Sequence, residues 1–279
     1  MAIQLSTAYV AQFDAEVKQA YQGTSVLRGT VRTRTGVVGS THRFTKIGKG
    51  VAHLHVPQSD VTPIGATYST VTATLSDWDA PEYSDIFMQQ KVNFDERREL
   101  VQVVGNAIGR RFDQLIIDAM TAASSPETVS NDIGGTDSNL NVAKLIEAKR
   151  LLDKNNVPPG DRHILVHATS LAGMLGETQV TSADYNSVKA LVQGELNTFL
   201  GFQFHTIGDR DEGGLTLATN DRTVFAWHRS AVGLAEGIAP RTAIDYIPQK
   251  VSFLVNAVFS AGAVTIDDEG LVNITCDEA

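Results

Sequence analysis

The pattern of apolar and polar positions changes several times along the chain, and each change predicts a different element. Near the start, Tyr9, Phe13, Val17 and Tyr21 recur at steps of four, which predicts a short amphipathic helix. The stretch GTVRTRTGVVGST that follows is polar and rich in Gly and Thr. We expect such a stretch to be extended and to become ordered only where another surface holds it. The first part of the chain therefore predicts an arm that adds little to a core.

A long β-hairpin is predicted next. Val71, Ala73 and Leu75 alternate with threonines, which is typical of a half-buried strand. Residues 40–56 also favour strand structure, and the Pro- and Gly-containing stretch at 57–65 predicts the tip between the two. A two-stranded hairpin exposes both of its edges and is marginally stable alone. The pattern therefore indicates that the hairpin packs on a partner surface.

The strongest local signal predicts one long helix, from about residue 94 to residue 122. Asn93 and Glu96 have the spacing of a helix N-cap and its reciprocal partner. At a rise of 1.5 Å per residue the helix would be about 40 Å long, long enough to act as a strut for other elements. Its apolar stripe consists of Val101, Val104, Ile108, Phe112, Leu115, Ile116 and Ala119.

An α/β pattern follows the long helix. Leu145, Ile146, Ala148, Leu151 and Leu152 predict an amphipathic helix that ends at NNVPPG. Then come a strand (HILVHA), a short helix (SLAGMLG), a second helical region (DYNSVKALVQGELNTFL) and another strand (GFQFHTI). The residues from Arg241 onward favour strands that pair back with earlier structure. The fold class predicted from this order is α+β.

Charge is unevenly distributed along the chain, which has a net charge of −9. Residues 28–49 are basic without any acidic residue, and residues 261–279 are acidic without any basic residue. The basic residues are Arg28, Arg32, Arg34, Arg43, Lys46 and Lys49. A basic arm on an acidic body can bind a neighbouring copy of the chain or nucleic acid. The alternative is a solvated surface loop that happens to be basic.

Motifs for nucleotide binding or hydrolysis are absent from the sequence. It contains no GxxxxGK[ST] loop, no GxGxxG and no G-x-S-x-G elbow. Cys276 is the only cysteine, which excludes an intrachain disulfide and a thiolate-clustered metal site. No stretch approaches the roughly 18 apolar residues of a membrane helix, and we expect no secretory leader because the first residues lack a basic and then apolar pattern. We therefore predict no cofactor, no membrane contact and no catalytic site.

The histidines were considered as metal ligands. His53 and His55 lie two apart on a predicted strand and would face the same way, but no cysteine and no carboxylate except Asp60 is near enough in sequence to complete a site. His163 and His167 would be roughly 13 Å apart on a strand, too far to share one ion. His205 and His228 are isolated in the sequence, which favours structural roles. We therefore predict no metal site.

An acidic cluster follows the predicted hairpin. It comprises Asp77, Asp79, Glu82 and Asp85. Paired carboxylates can transfer protons or bind calcium, but this spacing does not match a calcium-binding loop. We interpret the cluster as a docking surface for a basic arm, with a solvated turn as the alternative.

The order of arm, hairpin, strut helix, α/β lobe and returning strands resembles the major capsid proteins of tailed bacteriophages, which have the Hong Kong 97-type fold. The stretch AKRLLDKNNVPPGDRHILVHATSLAGML resembles the start of that family's axial domain, where a helix ends at an Asn-Val-Pro turn before an Arg-bearing strand. The stretches DYNSVKALVQGELNTFLGFQFHTI and TVFAWHRSAVGLAEG resemble the rest of that domain and the return to the peripheral domain.

The resemblance implies a domain organisation. Residues 1–38 would form an N-terminal arm and residues 39–80 an extended loop. Residues 81–138 and 236–279 would form a peripheral domain, with residues 94–122 as its spine helix. Residues 139–235 would form an axial domain at the fivefold and sixfold centres.

The resemblance also implies partners and a location. The chain would form pentamers and hexamers of a virion shell, assembled in the host bacterial cytoplasm. Scaffolding, portal and decoration proteins are its expected partners, together with non-specific contact to packaged DNA through basic residues. We expect the six basic and four acidic residues named above to lie at inter-subunit contacts. Two alternatives stay open: an encapsulin-like nanocompartment shell, and a soluble α/β enzyme that uses the acidic cluster.

Overall fold

A computed structural model describes residues 22–58, 60–61, 63–91, 95–176 and 198–278. The strands are β1 (Arg32–Arg34), β2 (Thr41–Ile47), β3 (Tyr68–Thr74), β4 (Ser76–Asp85), β5 (Glu127–Val129), β6 (Arg162–His167), β7 (Thr198–Phe199), β8 (Phe202–Ile207), β9 (Leu217–Ala218), β10 (Asp221–His228), β11 (Val232–Ile247), β12 (Ser252–Thr265) and β13 (Leu271–Asp277). The helices are α1 (Ile86–Gln89), α2 (Glu96–Thr121), α3 (Val142–Lys154) and α4 (Ala168–Leu175). The α+β class predicted from the sequence is confirmed.

The strands form three sheets within the described residues. One has the order β1-β11-β12-β4, and another has the order β5-β13-β10-β6-β8-β7 with β9 paired to β10. The third is the two-stranded hairpin β2-β3, with Phe44 opposite Val71. Strand β13 pairs along its length with β10. The resemblance assigns β10 to the axial domain and β13 to the peripheral domain, but the two strands share one sheet. The proposed domain boundaries stay a prediction.

The spine helix α2 has nearly the predicted bounds. Its buried positions include Val104, Ile108, Phe112 and Ile116, which recur at the helical period. Asp95 is its N-cap residue and makes no side-chain capping bond, and the predicted cap Asn93 lies outside the described residues. The helix packs mainly on β12 and β4, so its apolar stripe and the four-stranded sheet close one core.

A second core lies between α3, α4 and one face of the larger sheet. Asn141 caps α3 by accepting a bond from the amide of Lys144, and the chain leaves α3 through Asn156, which has a φ of 57°. The left-handed conformation of this Asn turns the chain towards β6 and ends the helix where NNVPPG predicted. The amphipathic helix predicted at residues 9–21 lies outside the described residues. The helical region predicted at residues 184–200 lies outside them as far as residue 197, and its end is wrong, because Thr198–Phe199 form strand β7, which pairs antiparallel with β8.

The expectation that the N-terminal segment adds little to a core is wrong for its described part. Leu27 and Val31 are fully buried against the spine helix and the sheets. Strand β1 pairs in parallel with β11, and the indole of Trp227 donates a 3.1 Å bond to the carbonyl of Thr30. Because Leu27 and Val31 are surrounded by polar residues in the sequence, their burial was not predicted. Residues 25–34 are therefore an integral layer of the protein.

Candidate assembly surfaces

The loop between β2 and β3 exposes apolar side chains to solvent. Leu54 is 93% exposed, Val61 85% and Val51 76%, and Val56 and Ile64 are also exposed. The structure assigns no strand to residues 48–58, so the sequence expectation that His53 and His55 lie on a strand is wrong. Several exposed apolar residues in one loop are typical of a protein interaction surface. The hairpin is therefore a candidate docking element, as its sequence indicated.

The base of the hairpin is fixed to the body by a small apolar cluster. Phe44 and Ala73, on the inner face of the hairpin, pack with Ala235 and Ile266. A Cβ at Gly233 would lie 2.7 Å from the ring of Phe44, so a glycine is needed for the strand to approach the ring this closely. The hairpin thus projects from a fixed base.

Three of the predicted basic contact residues form ion pairs within the chain. The guanidinium of Arg28 donates two bonds of 2.7 Å to the carboxylate of Glu236, which is 1% exposed. Lys46 lies 2.6 Å from Asp267, and Lys49 lies 2.8 Å from Glu269. Their observed partners are therefore carboxylates of the same subunit, outside the acidic cluster at 77–85.

The other three basic residues lie near the same surface. Arg32 stacks over the ring of Phe44 at 5.8 Å, while Arg34 and Arg43 are exposed on β1 and β2. All three side chains are exposed to solvent. Their role at an inter-subunit or nucleic-acid contact stays a prediction.

The four residues of the acidic cluster do not converge on one point. They lie on β4, where successive side chains point to opposite faces. Asp77 and Asp79 are exposed on one face, whereas Asp85 accepts bonds from the amides of Phe87 and Met88 at the start of α1. Trp78, between the two aspartates, packs into the core and under the guanidinium of Arg111 at 3.5 Å. The cluster is thus an acidic strand edge and lacks the geometry of a paired-carboxylate site.

A second exposed apolar surface lies at the far end of the β11–β12 ribbon. Tyr246 and Ile244 on β11 are each 47% exposed, and Phe87 and Met88 of α1 are also exposed. Lys250, in the turn of the ribbon, lies 3.9 Å from the ring of Tyr83. The sequence of this region predicted a strand. It did not predict that Ile244 and Tyr246 are exposed, because the burial of a strand face depends on the elements that pack against it.

Sequence reasoning also missed a buried carboxylate at the centre of the protein. Asp113 is fully buried in α2, between apolar residues of the spine. It accepts bonds from the amides of Val26 and Leu27 and from the hydroxyl of Ser25. The available signal was the position of Asp113 next to the apolar stripe of a long helix. A charged residue at such a position is buried only when it has a partner.

His205 is not isolated, contrary to the sequence expectation. Its Nε2 lies 3.1 Å from Nδ1 of His163, on the neighbouring parallel strand, and both rings lie beside Trp227. Burial lowers the pKa of both imidazoles, and together with the nearby charge of His205 it lowers the pKa of His163 to about 4. The pair is therefore neutral at pH 7 and forms part of the packed interior.

The described residues offer neither a metal site nor a membrane-spanning helix. Among the residues described, no group of three or more His, Cys, Asp or Glu side chains has the arrangement of a metal site. No helix in the described part of the chain is long and apolar enough to cross a membrane. The surfaces that remain as candidates are the exposed loop, the ribbon end and the charged positions around the hairpin.

Comparison with solved structures gives many similar chains. The chain is 11% identical to the head protein of Helicobacter pylori bacteriophage KHP40, with a TM-score of 0.80 and coverage of 100% of this chain and 99% of that chain. It is 14% identical to the capsid of cyanophage P-SCSP1u, with a TM-score of 0.75 and coverage of 98% and 94%. It is 15% identical to a chain of Mycobacterium phage Che8, with a TM-score of 0.73 and coverage of 98% of both chains. At these identities the likeness shows the fold.

A search of curated proteins finds no significant match. The family model described as phage capsid protein matches residues 5–278, nearly the whole sequence. This match spans the arm, the hairpin, the spine helix and both larger sheets. The chain therefore belongs to the phage capsid protein family.

Proposed function

We propose that this chain is the major capsid protein of a tailed phage and assembles as pentamers and hexamers into an icosahedral head shell around double-stranded DNA. The observation that carries the proposal is the exposed apolar loop on a hairpin with a fixed base. Leu54 and Val61 are almost fully accessible in the single chain, and burying such side chains contributes about 1.5–3 kcal/mol each. In a shell, the partner that buries this loop is a neighbouring copy of the chain.

The same proposal includes the finer expectations about partners and place. Assembly occurs in the host bacterial cytoplasm, with scaffolding, portal and decoration proteins as partners and with non-specific contact to packaged DNA. The exposed Arg34 and Arg43 support a polyanion contact, because phosphate binding needs accessible cations and no base-specific geometry. The absence of enzymatic activity is also part of the proposal. The carboxylates of the acidic cluster on β4 support this part of the proposal because they do not converge. Acid–base catalysis by paired carboxylates needs both groups close to the reacting atoms.

The test is electron microscopy of shells formed by the purified full-length chain with its scaffold, comparing three forms of the protein. The double variant Leu54→Asp/Val61→Asp places charge on the exposed apolar loop, and we expect it to need at least about tenfold more protein to assemble. Its unfolding free energy should change by less than about 0.5 kcal/mol, because both positions are exposed. His55→Asp/Gln58→Asp is the matched control, since it adds the same two charges at exposed positions of the loop without removing an apolar side chain, and it should assemble like the wild type.

Either of two results would contradict the proposal. One is a wild-type chain that remains a folded monomer at every concentration with scaffold present. The other is a closed shell that takes up a folded enzyme through a short peptide and never packages DNA, which would identify the encapsulin-like alternative.

A further inference from the structure

The acidic turn formed by Asp267–Gly270 connects three parts of the protein. The carboxylate of Asp268 accepts a 3.0 Å bond from the amide of Ser125, just after the spine helix. The carbonyl of Glu269 accepts a 3.3 Å bond from the side chain of Asn155, which is the C-cap of α3. The turn therefore has a defined position relative to both α2 and α3.

The hairpin makes its only ion pairs in the described residues to this same turn. Lys46 Nζ lies 2.6 Å from Asp267 Oδ1, an oxygen that also accepts the amide of Glu269 at 3.2 Å. Lys49 Nζ donates bonds of 2.8 Å and 3.2 Å to the two carboxylate oxygens of Glu269. The side-chain bond to Glu269 raises the pKa of Lys49, so the ammonium stays charged throughout the neutral range.

The apolar contacts of the hairpin end before this point. Phe44 and Ala73 are buried at the base, whereas Ile47 and Tyr68, the last strand pair, are 59% and 72% exposed. A cleft of about 510 Å³ is lined by the hairpin residues Lys46, Ser69 and Val71 and by the turn. Beyond its base, the hairpin is therefore attached to the body by the ion pairs of Lys46 and Lys49 with the turn.

We propose that the turn Asp267–Gly270 is an ionic latch that sets the angle of the hairpin relative to the body. With both ion pairs formed, the hairpin lies against the turn, and its loop points in one direction. With the pairs broken, the hairpin pivots about the contact between Phe44 and Gly233 and moves away from the turn. The base stays fixed in both states because its packing does not depend on charge.

The expected control of the latch is ionic strength. Ion pairs at the surface are individually weak and are screened by salt, so two exposed pairs can hold an element in place and still release it. The attachment of the turn to Ser125 and Asn155 means that a shift of α2 or α3 also moves the carboxylates relative to the hairpin lysines. Through the proposed shell function, the latch would determine how the loop with Leu54 and Val61 meets a neighbouring subunit.

The test measures the hairpin angle in the dilute, unassembled full-length chain. Spin labels on His55→Cys in the loop and Ala122→Cys at the end of α2 report one distance across the latch. The native thiol of Cys276 does not compete for the label, because burial raises its pKa to about 12. We expect a narrow distance distribution at about 0.02 M salt and a broad one at about 0.5 M, where the Debye length falls from roughly 20 Å to roughly 4 Å.

Charge exchange separates the latch from a general effect of salt. Lys49→Glu should give the broad distribution even at low salt, and the double exchange Lys49→Glu/Glu269→Lys should restore the narrow one. Asp267→Asn tests the second pair, since asparagine retains the capping oxygen for Glu269 but loses the charge. Glu147→Gln breaks the ion pair of Glu147 with Arg150 on α3 and is the matched control, with no expected change.

A distance distribution that changes neither with salt nor with Lys49→Glu would overturn the latch. A distribution in the double exchange variant that stays as broad as in Lys49→Glu would also overturn it. Either result leaves the proposed shell function intact, because the measurement uses unassembled protein. Failure of the shell function would instead appear in the microscopy of assembled particles.

Discussion

The carboxylate of Asp113, which is fully buried, lies 3.1 Å from Nη1 of Arg210, whose side chain is 9% exposed. Asp113 belongs to the spine helix and Arg210 to the loop after β8, so this pair joins two parts of the chain that are 97 residues apart. The same carboxylate accepts bonds from three groups of residues 25–27. One charged group therefore holds together the N-terminal segment, the spine helix and the loop after β8.

Replacing this group tests its contribution to stability. Asp113→Asn removes the charge that pairs with Arg210 and turns one acceptor oxygen into a donor facing backbone amides. We expect the free energy of unfolding to fall by about 3 kcal/mol, because a buried cation is left unpaired. Denaturant titration of the unassembled chain measures the loss. Asp118→Asn, on the exposed side of the same helix, should cost under about 0.5 kcal/mol, and an equal loss in both variants would refute this account.

The pair of His163 and His205 predicts acid sensitivity. In the folded chain, burial and then the neighbouring His205 hold the pKa of His163 near 4, whereas an unfolded histidine has a pKa near 6.5. Between these values the unfolded chain binds more protons, so stability is complete above about pH 6.5 and falls as the pH drops towards 4. The expected loss over this window is on the order of 3 kcal/mol.

Unfolding titrations at a series of pH values check this slope in the wild type and in two variants. His163→Phe keeps an aromatic ring beside Trp227 but removes the titrating group, so its stability should depend less on pH. His53→Asn lies on the exposed loop and should leave the slope unchanged. A slope that is equally steep without His163 would mean that other groups dominate the acid response.

Gly105 offers a stabilising substitution within the spine helix. A Cβ at this position would meet no atom within 4 Å, and its φ is not positive. Alanine has a higher helix propensity than glycine, so Gly105→Ala should raise the free energy of unfolding by about 1 kcal/mol. Thermal melting of the unassembled chain provides the measurement. A decrease would show that the spine helix needs the glycine for bending or for a second conformation.

Gly233 makes the opposite prediction. Its Cβ would lie 2.7 Å from the ring of Phe44 and 2.9 Å from the side chain of Ile266. Gly233→Ala should therefore destabilise the chain by about 2 kcal/mol, since the base of the hairpin has to move. The combination with Phe44→Leu should recover part of this loss, because the smaller side chain leaves room. Additive losses in the double variant would show that the ring does not cause the strain.

The sequence by itself determined the elements whose signal is local. The spine helix, α3 and strands β3, β6 and β8 follow from periodicity, capping residues and the Asn-Val-Pro turn, because helix and strand periods are set by backbone geometry. The predicted α+β order also agrees with the family whose model matches residues 5–278. The N-terminal segment was misjudged because Leu27 and Val31 stand alone among polar residues, and their burial depends on the spine and sheets that surround them.

Only the tertiary structure decided the partners of charged and titratable groups. Basic residues near position 46 and carboxylates near position 267 are 221 residues apart, and no local rule relates them. The same holds for Asp113 with Arg210 and for His163 with His205, which meet because strands and helix are packed side by side. Ion pairs depend on distances in the folded structure, whereas helix and strand periodicity depends on residues that are close in sequence. For this reason the sequence predicted which surfaces are charged, and the fold decided which charges meet.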